Sequence, residues 1–204
     1  METNQTYKNR ALASLEGKWT IGAVATLIYL LIVNIARVSI TYPMDDTTGA
    51  SVNGIWFLLS LPLMWGNRVF FLRLIRQEDI DYGHLFDGYK DCVRIGVTLL
   101  LVAFFEAIGC VFLLIPGIII SLMLSQVEFV MEDDKEIGYL DAMKRSVDLM
   151  KGHKAKLFWL ILSFMGWIIL AILTFGIGLL LLLPYFNTTL AYFYEDLKAE
   201  QQIG

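Results

Sequence analysis

The sequence predicts an all-α membrane protein, a polytopic bundle of about six transmembrane helices. Hydrophobic residues make up 57% of its 204 residues and charged residues only 18%, against roughly 25% in an average soluble domain. A soluble domain of this size has too much surface to cover with so few charges. The apolar residues also gather in long runs that charged segments separate, which is typical of successive membrane spans.

The first predicted hairpin covers residues 19–72. Its first helix is the apolar run 19–40, which reaches the length of about 20 residues that a bilayer core requires. A polar loop without lysine or arginine follows at 41–54, and the second helix is expected at 55–72.

The second and third predicted hairpins cover residues 95–131 and 157–195. Their turns are expected at Ile115-Pro116-Gly117 and at Phe175-Gly176-Ile177-Gly178, because proline ends a helix and glycine permits a tight turn. The fourth and sixth runs are close to or below the lower length limit for a span. The pair at 95–131 therefore either crosses the membrane fully or is re-entrant.

The distribution of basic residues predicts the orientation. All but two of the 16 lysines and arginines, Arg37 and Arg68, lie in the N-terminal segment, in 73–94, in 132–156 or in the tail. Six crossings place these four segments on one side, which the positive-inside rule makes cytoplasmic. Both termini are then expected in the cytoplasm, and residues 1–204 form a single integral membrane domain.

A short amphipathic segment precedes each hairpin, at 11–19, 84–91 and 142–154. Each contains a glycine, so the chain is either a threefold repeat of one unit or three independent solutions to entering a membrane. In the third segment, apolar side chains recur at helical spacing and basic ones take the other faces. Such a helix is expected at the cytoplasmic interface, with these candidate contacts to anionic lipids: Lys144, Arg145, Lys151, Lys154 and Lys156.

Glu106 is the candidate centre of an intramembrane polar site. It lies twelve residues beyond Arg94, which corresponds to roughly 18 Å along a helix. A charge at that depth is costly and is expected to face the protein interior or water. It is either a proton or cation site on a transport pathway or one structural hydrogen bond between helices. Its candidate partners are Asn34, Asn187, Thr188 and Arg68.

Arg68 and Glu128 complete the candidate polar site. Each is predicted to lie about one helical turn inside the cytoplasmic boundary, on neighbouring hairpins. They either form an ion pair or are hydrated separately, since an arginine so placed can extend its head group to the interface.

The sequence lacks the motifs that would indicate an enzyme. There is no G-x-S-x-G and no P-loop, and Cys92 and Cys110 are too far apart along one helix for a disulfide. The acidic stretch that contains His84 matches no calcium loop and is interpreted as a solvated helix start. We therefore expect no catalytic residues, no metal and no cofactor. The chain has 20 acidic and 16 basic residues. It therefore has no excess positive charge that would indicate nucleic-acid binding.

Three segments carry a resemblance to a known family: ALASLEGKWTIG near the N-terminus, LLIPGIII at the exit of the third run, and residues 141–197. They resemble the bacterial integral membrane proteins of the domain-of-unknown-function 975 family, which is related in pattern to the membrane domain of some glycerophosphodiester phosphodiesterases. The resemblance implies a multi-spanning protein of the bacterial cytoplasmic (inner) membrane. It implies no activity and no site residues.

These expectations favour a non-enzymatic scaffold, assembly factor or lipid-interacting factor. Membrane lipids are the expected partners, with other membrane proteins as further candidates. The alternative is a small-solute or ion transporter that uses Glu106.

Overall fold

A computed structural model of the chain describes residues 2–40, 46–112, 114–174 and 176–203, with side chains described for 2–34, 56–110, 115–174 and 176–201. The described residues form helices and turns and contain no strand. The α-helices are α1 Asn4–Leu15, α2 Trp19–Ile40, α3 Asp46–Ile75, α4 Cys92–Phe112, α5 Leu114–Leu124, α6 Val127–Asp133, α7 Tyr139–Leu149, α8 Lys154–Leu162, α9 Met165–Leu173 and α10 Leu179–Ile203. A 3₁₀ helix at Tyr82–Tyr89 joins α3 to α4.

Among the described residues, four stretches are long and apolar enough to cross a membrane: Trp56–Ile75, Cys92–Cys110, Ile115–Asp133 and Lys154–Leu173. A fifth candidate is the bent pair Asn4–Leu15 and Trp19–Asn34, whose axes meet at 97°. The all-helical class and several membrane-length apolar helices are therefore confirmed.

The core is built around α3. The candidate span in α3 is 72% buried, whereas the spans in α4 and in α8–α9 are each 22% buried. Phe70, Phe71 and Leu72 of α3 are almost completely buried, while Val93 and Phe104 of α4 are largely exposed. The peripheral helices thus present apolar side chains outward, as lipid-facing helices do.

Helices α4 and α5 pack against each other, but the residues predicted to connect them lie inside α5. Helix α4 ends at Phe112 and α5 begins at Leu114, so Pro116 and Gly117 lie in the first turn of α5. The prediction that residues 115–117 form the connection is therefore wrong. Proline fits a first helical turn because its missing N–H has no partner there anyway. A β-carbon on Gly109 would lie 2.9 Å from the Cα of Gly117, so small residues permit the close approach.

The turn between α9 and α10 is short, as predicted. Gly176 has a φ of +84°, a value that glycine adopts without strain. The Thr174 hydroxyl donates to the Ala171 carbonyl at 2.8 Å and accepts from the Gly178 N–H at 2.9 Å. These bonds satisfy backbone groups that a helix end leaves free.

Three helix boundaries differ from the prediction. Helix α3 begins at Asp46, inside the predicted loop 41–54, because helix propagation costs little once a long apolar helix exists. The run 157–175 is divided into α8 and α9 at Ser163 and Phe164. Helix α10 continues to Ile203, well beyond the apolar run.

The three segments that precede the hairpins are α1, the 3₁₀ helix and α7. Two of them share a structural feature, since Gly17 after α1 and Gly152 after α7 both have positive φ, +74° and +79°. Gly88 differs, because it packs against the Pro62 carbonyl of α3. The likeness between the units therefore extends to two of the three glycines.

We expect Gln77→Gly to raise the free energy of unfolding by about 1 kcal/mol. Gln77 has a φ of +58° directly after α3, a left-handed conformation that costs a side-chain-bearing residue energy. Thermal unfolding in detergent measures the change. Gln201→Gly in α10 is the matched control and should be neutral or destabilising, because glycine is a poor helix former. An unchanged or lower stability of Gln77→Gly would contradict the assignment of strain.

Candidate functional site

Helix α7 is fixed across the break between α5 and α6. The Ser146 hydroxyl donates to the Met123 carbonyl at 2.8 Å and accepts from the Gln126 N–H at 3.2 Å. Ser146 and Ala142 are fully buried, and Leu149 is almost fully buried. The break leaves backbone groups without helical partners, and α7 supplies them.

An open cleft of about 560 Å³ lies between α7 and the α4–α5 pair, and we call it the cleft beneath α7. Its walls are mainly hydrocarbon, with Phe105 from α4, Ile120 and Leu124 from α5, and Met143 and Val147 from α7. Binding sites for small ligands have volumes of roughly 300–1,000 Å³ and apolar walls with few polar groups. The cleft therefore has the size and the lining of a site for an apolar chain.

Charged side chains of α7 border this cleft. Lys144 and Asp148 are part of its lining. Lys144 pairs loosely with Asp141, at 3.4 Å and with both side chains mostly exposed, and Asp148 pairs with Lys151 at 2.6 Å. The apolar cleft thus has a mixed but accessible charged border.

The remaining basic residues predicted to contact lipid take different positions. Arg145 borders a separate pocket of about 390 Å³ on the other side of α7, together with Asp133 and Lys198. The Lys156 ammonium lies 5.7 Å from the centre of the Tyr7 ring. Lys154 is half-buried at the start of α8. The five residues therefore do not form one site.

The structure brings Arg68 and Glu128 together. Their side chains form an ion pair at 3.1 Å, and Arg68 also donates to the Ser125 carbonyl at the helix break, at 3.2 Å. The Trp65 indole N–H donates to the Glu128 carbonyl at 3.1 Å. Of the two alternatives from the sequence, the ion pair is the one observed, and it ties α3 to the break.

Glu106 lies near this pair but is not bonded to the predicted amides. It is half-buried on α4, close enough to Glu128 for the two carboxyl groups to interact electrostatically. The Asn34 amide is exposed and donates to the Leu30 carbonyl of its own helix at 2.8 Å. Asn187 is buried in α10. In the part of the chain with described side chains, neither amide hydrogen-bonds to Glu106, so that predicted contact is not observed.

Sequence reasoning missed a buried ionic centre at the end of α3. Arg73 donates to Glu132 at 2.8 and 3.0 Å and to Asp87 at 2.7 Å. Burial alone would raise the pKa of Asp87, but hydrogen bonds from Lys90, Arg73 and His84 hold it well below its ordinary value. The charged stretch 73–94 was the available signal, although nothing in its spacing identifies Glu132 as a partner.

A second ionic cluster joins the two ends of the chain. Asp196 of α10 accepts from the Tyr7 hydroxyl at 2.8 Å and from Arg10 at 3.2 Å. Arg76 binds Glu195 at 2.6 Å and Asp133 at 2.7 Å. These bonds close the bundle at the end where α3 and α6 finish.

The acidic residues around His84 make contacts within the chain. Asp81 caps the 3₁₀ helix by accepting from the Gly83 N–H at 3.0 Å, and Asp87 accepts a hydrogen bond from Arg73. Among the described side chains there is no group of three or more histidine, cysteine or carboxylate residues placed to hold a metal. The sequence also predicts that Arg37, near the outer head groups, meets either a phosphate or the loop residues Asp45 and Asp46. These three residues lie outside the described side chains.

Comparison with known families gives one match. Residues 107–201 match the family described as "Protein of unknown function (DUF975)". Over these residues the chain is similar to the DUF975 family. The matched DUF975 region begins next to Glu106 and includes α5, α7 and most of α10, and hence two of the three walls of the cleft. Neither the curated proteins nor the solved structures contain a match.

Proposed function

We propose that this protein is a non-enzymatic membrane protein that binds an anionic lipid in the cleft beneath α7. The cleft carries the proposal, because its walls are apolar and a lysine stands at its border. An acyl chain matches the walls chemically, and a phosphate matches the Lys144 ammonium. A scaffold or assembly role would follow from holding that lipid.

The peripheral position of the cleft supports a lipid as its occupant. One wall is α4, whose span is 22% buried and whose outward side chains are apolar. A chain that enters the cleft from the bilayer therefore exchanges one hydrocarbon environment for another. Selectivity must then come from the head group, which is why the charge at Lys144 is the decisive feature.

We place the protein in a bacterial cytoplasmic membrane with both termini inside. The asymmetric distribution of lysine and arginine supports this orientation. Within the described residues, Cys92–Cys110 and Ile115–Asp133 are each long and apolar enough to cross a membrane, which supports two full crossings by this part of the chain.

The orientation predicts how Cys92 reacts. Cys92 is an exposed free thiol at the start of α4, so in a Cys110→Ala background a membrane-impermeant maleimide should label it only after the cells are opened. Mass spectrometry of the purified protein measures the labelling. A cysteine placed in the 41–54 segment is the control and should react in intact cells. Labelling of Cys92 in intact cells would contradict the orientation.

Native mass spectrometry tests lipid binding directly. The protein is purified in detergent and titrated with phosphatidylglycerol and phosphatidylcholine. We expect preferential retention of phosphatidylglycerol, and Lys144→Gln should weaken it about fivefold, since each basic residue near an anionic surface contributes about 1 kcal/mol. Val147→Trp, which fills the cleft, should weaken retention of both lipids.

Lys135→Gln is the matched control. Lys135 is also an exposed lysine, but it does not line the cleft. If Lys144→Gln and Lys135→Gln have the same effect, or if Val147→Trp changes nothing, lipid binding in the cleft is wrong.

A transporter is the second candidate function, and the proximity of Glu106 to the Arg68–Glu128 pair favours it. Two carboxyl groups that interact electrostatically in a membrane helix bundle, one of them paired with an arginine, can exchange a proton or hold a cation. Proton flux in reconstituted vesicles tests the idea, and Glu106→Gln should abolish it. Loss of flux in Glu106→Gln with unchanged phosphatidylglycerol retention would favour transport over the lipid-binding role.

A further inference from the structure

A second apolar cavity lies on the other side of the bundle, away from α7. It has a volume of about 320 Å³ and lies between the bent α1–α2 pair and the α9–α10 hairpin. We call it the α9 groove. Leu12 and Trp19 form one side, and Trp167, Leu170 and Leu181 form the other.

Few polar side-chain atoms lie along the α9 groove. Thr174 lines the groove, but its hydroxyl is used within its own helix end, by Ala171 and Gly178. Tyr185 is the other lining residue with a hydroxyl group. The remaining lining residues offer hydrocarbon or aromatic surface, apart from the indole N–H of the two tryptophans. An unbranched apolar chain is the ligand that matches such walls.

The groove opens toward the outward-facing surface of the bundle. Leu170 and Leu181 are 52% and 55% exposed, and they belong both to the groove and to the apolar exterior. That exterior continues along α9, whose span is mostly unburied. A membrane lipid therefore reaches the groove sideways, without passing a polar barrier.

A positive charge lies beyond the Tyr185 end of the groove. The Lys8 ammonium lies 4.4 Å from the centre of the Phe164 ring, which packs edge-on against Tyr185 at 5.1 Å. Lys8 does not line the groove itself, is only 9% exposed and donates to the Ser163 carbonyl at 3.0 Å. No carboxylate among the described residues pairs with it, so its charge is not neutralised within the protein. Lys8 and Leu12 are one turn apart on α1 and so share a face. The Lys156 ammonium lies 5.7 Å from the ring centre of Tyr7, the residue before Lys8.

We propose that the α9 groove binds one acyl chain of an anionic membrane lipid, with the chain toward Thr174 and the phosphate toward Lys8 and Lys156. The groove has a positive charge near one end and hydrocarbon walls along its length. An amphiphile therefore matches it only with its head group at the Tyr185 end. This site is separate from the cleft beneath α7, so either of the two binding proposals can be refuted without the other.

Photolabelling in vesicles tests the proposal. The full chain is reconstituted in phosphatidylcholine vesicles with a trace of phosphatidylglycerol that carries a diazirine in one acyl chain. Labelled residues are mapped by mass spectrometry. We expect labelling of groove residues between 167 and 182, competed by unlabelled phosphatidylglycerol, and reduced at least about fivefold when the same diazirine is carried by phosphatidylcholine.

Two substitutions in the groove and one control outside it make the test specific. Leu170→Trp fills the groove and should reduce its labelling severalfold, and Leu181→Trp is a second variant with the same expectation. Ile169→Trp is the matched control, because Ile169 is 57% exposed on the same helix but does not line the groove. It should leave the labelling unchanged.

Either of two results would overturn the proposal. Equal labelling by the two probes would show that the site does not select an anionic head group. Equal labelling of Leu170→Trp and Ile169→Trp would show that the labelled site is not the groove. Labelling of residues 139–151 reports on the cleft beneath α7 in the same experiment. Its presence without groove labelling would refute the α9 groove and leave the proposed function standing.

Discussion

Arg73→Leu is expected to lower the free energy of unfolding by about 3–5 kcal/mol. Arg73 is buried at the end of α3 and neutralises Glu132 and Asp87 at 2.7–3.0 Å. Removing the guanidinium leaves the buried Glu132 carboxylate without its cation, while Asp87 keeps Lys90 and His84. An uncompensated buried charge costs far more than the loss of an exposed ion pair. Thermal or denaturant unfolding of the purified protein in detergent measures the loss.

Lys144→Leu is the control for this prediction. Lys144 also belongs to an ion pair, with Asp141, but both side chains are mostly exposed, so the cost should stay below about 1 kcal/mol. Adding Glu132→Gln to Arg73→Leu should recover part of the stability, because one uncompensated charge disappears. If Arg73→Leu costs no more than Lys144→Leu, the ionic centre is not a stabilising element.

Gly66→Ala is expected to lower the free energy of unfolding by at least about 2 kcal/mol. A β-carbon at this position of α3 would overlap the Leu85 carbonyl oxygen of the 3₁₀ helix. Backbone cannot move aside as a flexible side chain can, so α3 and the Tyr82–Tyr89 segment must separate. Unfolding in detergent reports the loss of stability.

Gly96→Ala should have the opposite sign. A β-carbon on Gly96 in α4 meets nothing within 4 Å, and alanine is a better helix former than glycine by up to about 1 kcal/mol. The same chemical change in two helices thus separates crowding from helix propensity. A stabilising Gly66→Ala would show that the 3₁₀ helix does not pack as described.

The helices were predictable from the sequence because their signal is local. Apolar runs of membrane length identify α2, α3 and α4, and the glycines at 176 and 178 identify the last turn. The turn before Pro116 was misplaced because proline is compatible with both the end of a helix and the first turn of the next. Local patterns therefore fix an element more reliably than its boundary.

The candidate site was less predictable because its contacts join distant parts of the chain. The ion pair of Arg68 with Glu128 was one of two alternatives that spacing alone left open, and the Arg73–Glu132 pair joins residues 59 positions apart. The cleft beneath α7 depends on how α7 crosses the break at Ser125 and Gln126. Helical periodicity shows which face is apolar, but not which helix covers it.

The bonds between α1 and α10 impose an order on biosynthesis. Arg10 and Tyr7 leave the ribosome early, yet their partner Asp196 follows 186 and 189 positions later. At about 5–20 residues per second, the wait is roughly 10–40 s. During that interval α1 has no carboxylate from α10 to bind. Helix α1 therefore completes its contacts only after α10 has been made, and a chain truncated before Asp196 would leave Tyr7 and Arg10 without this partner.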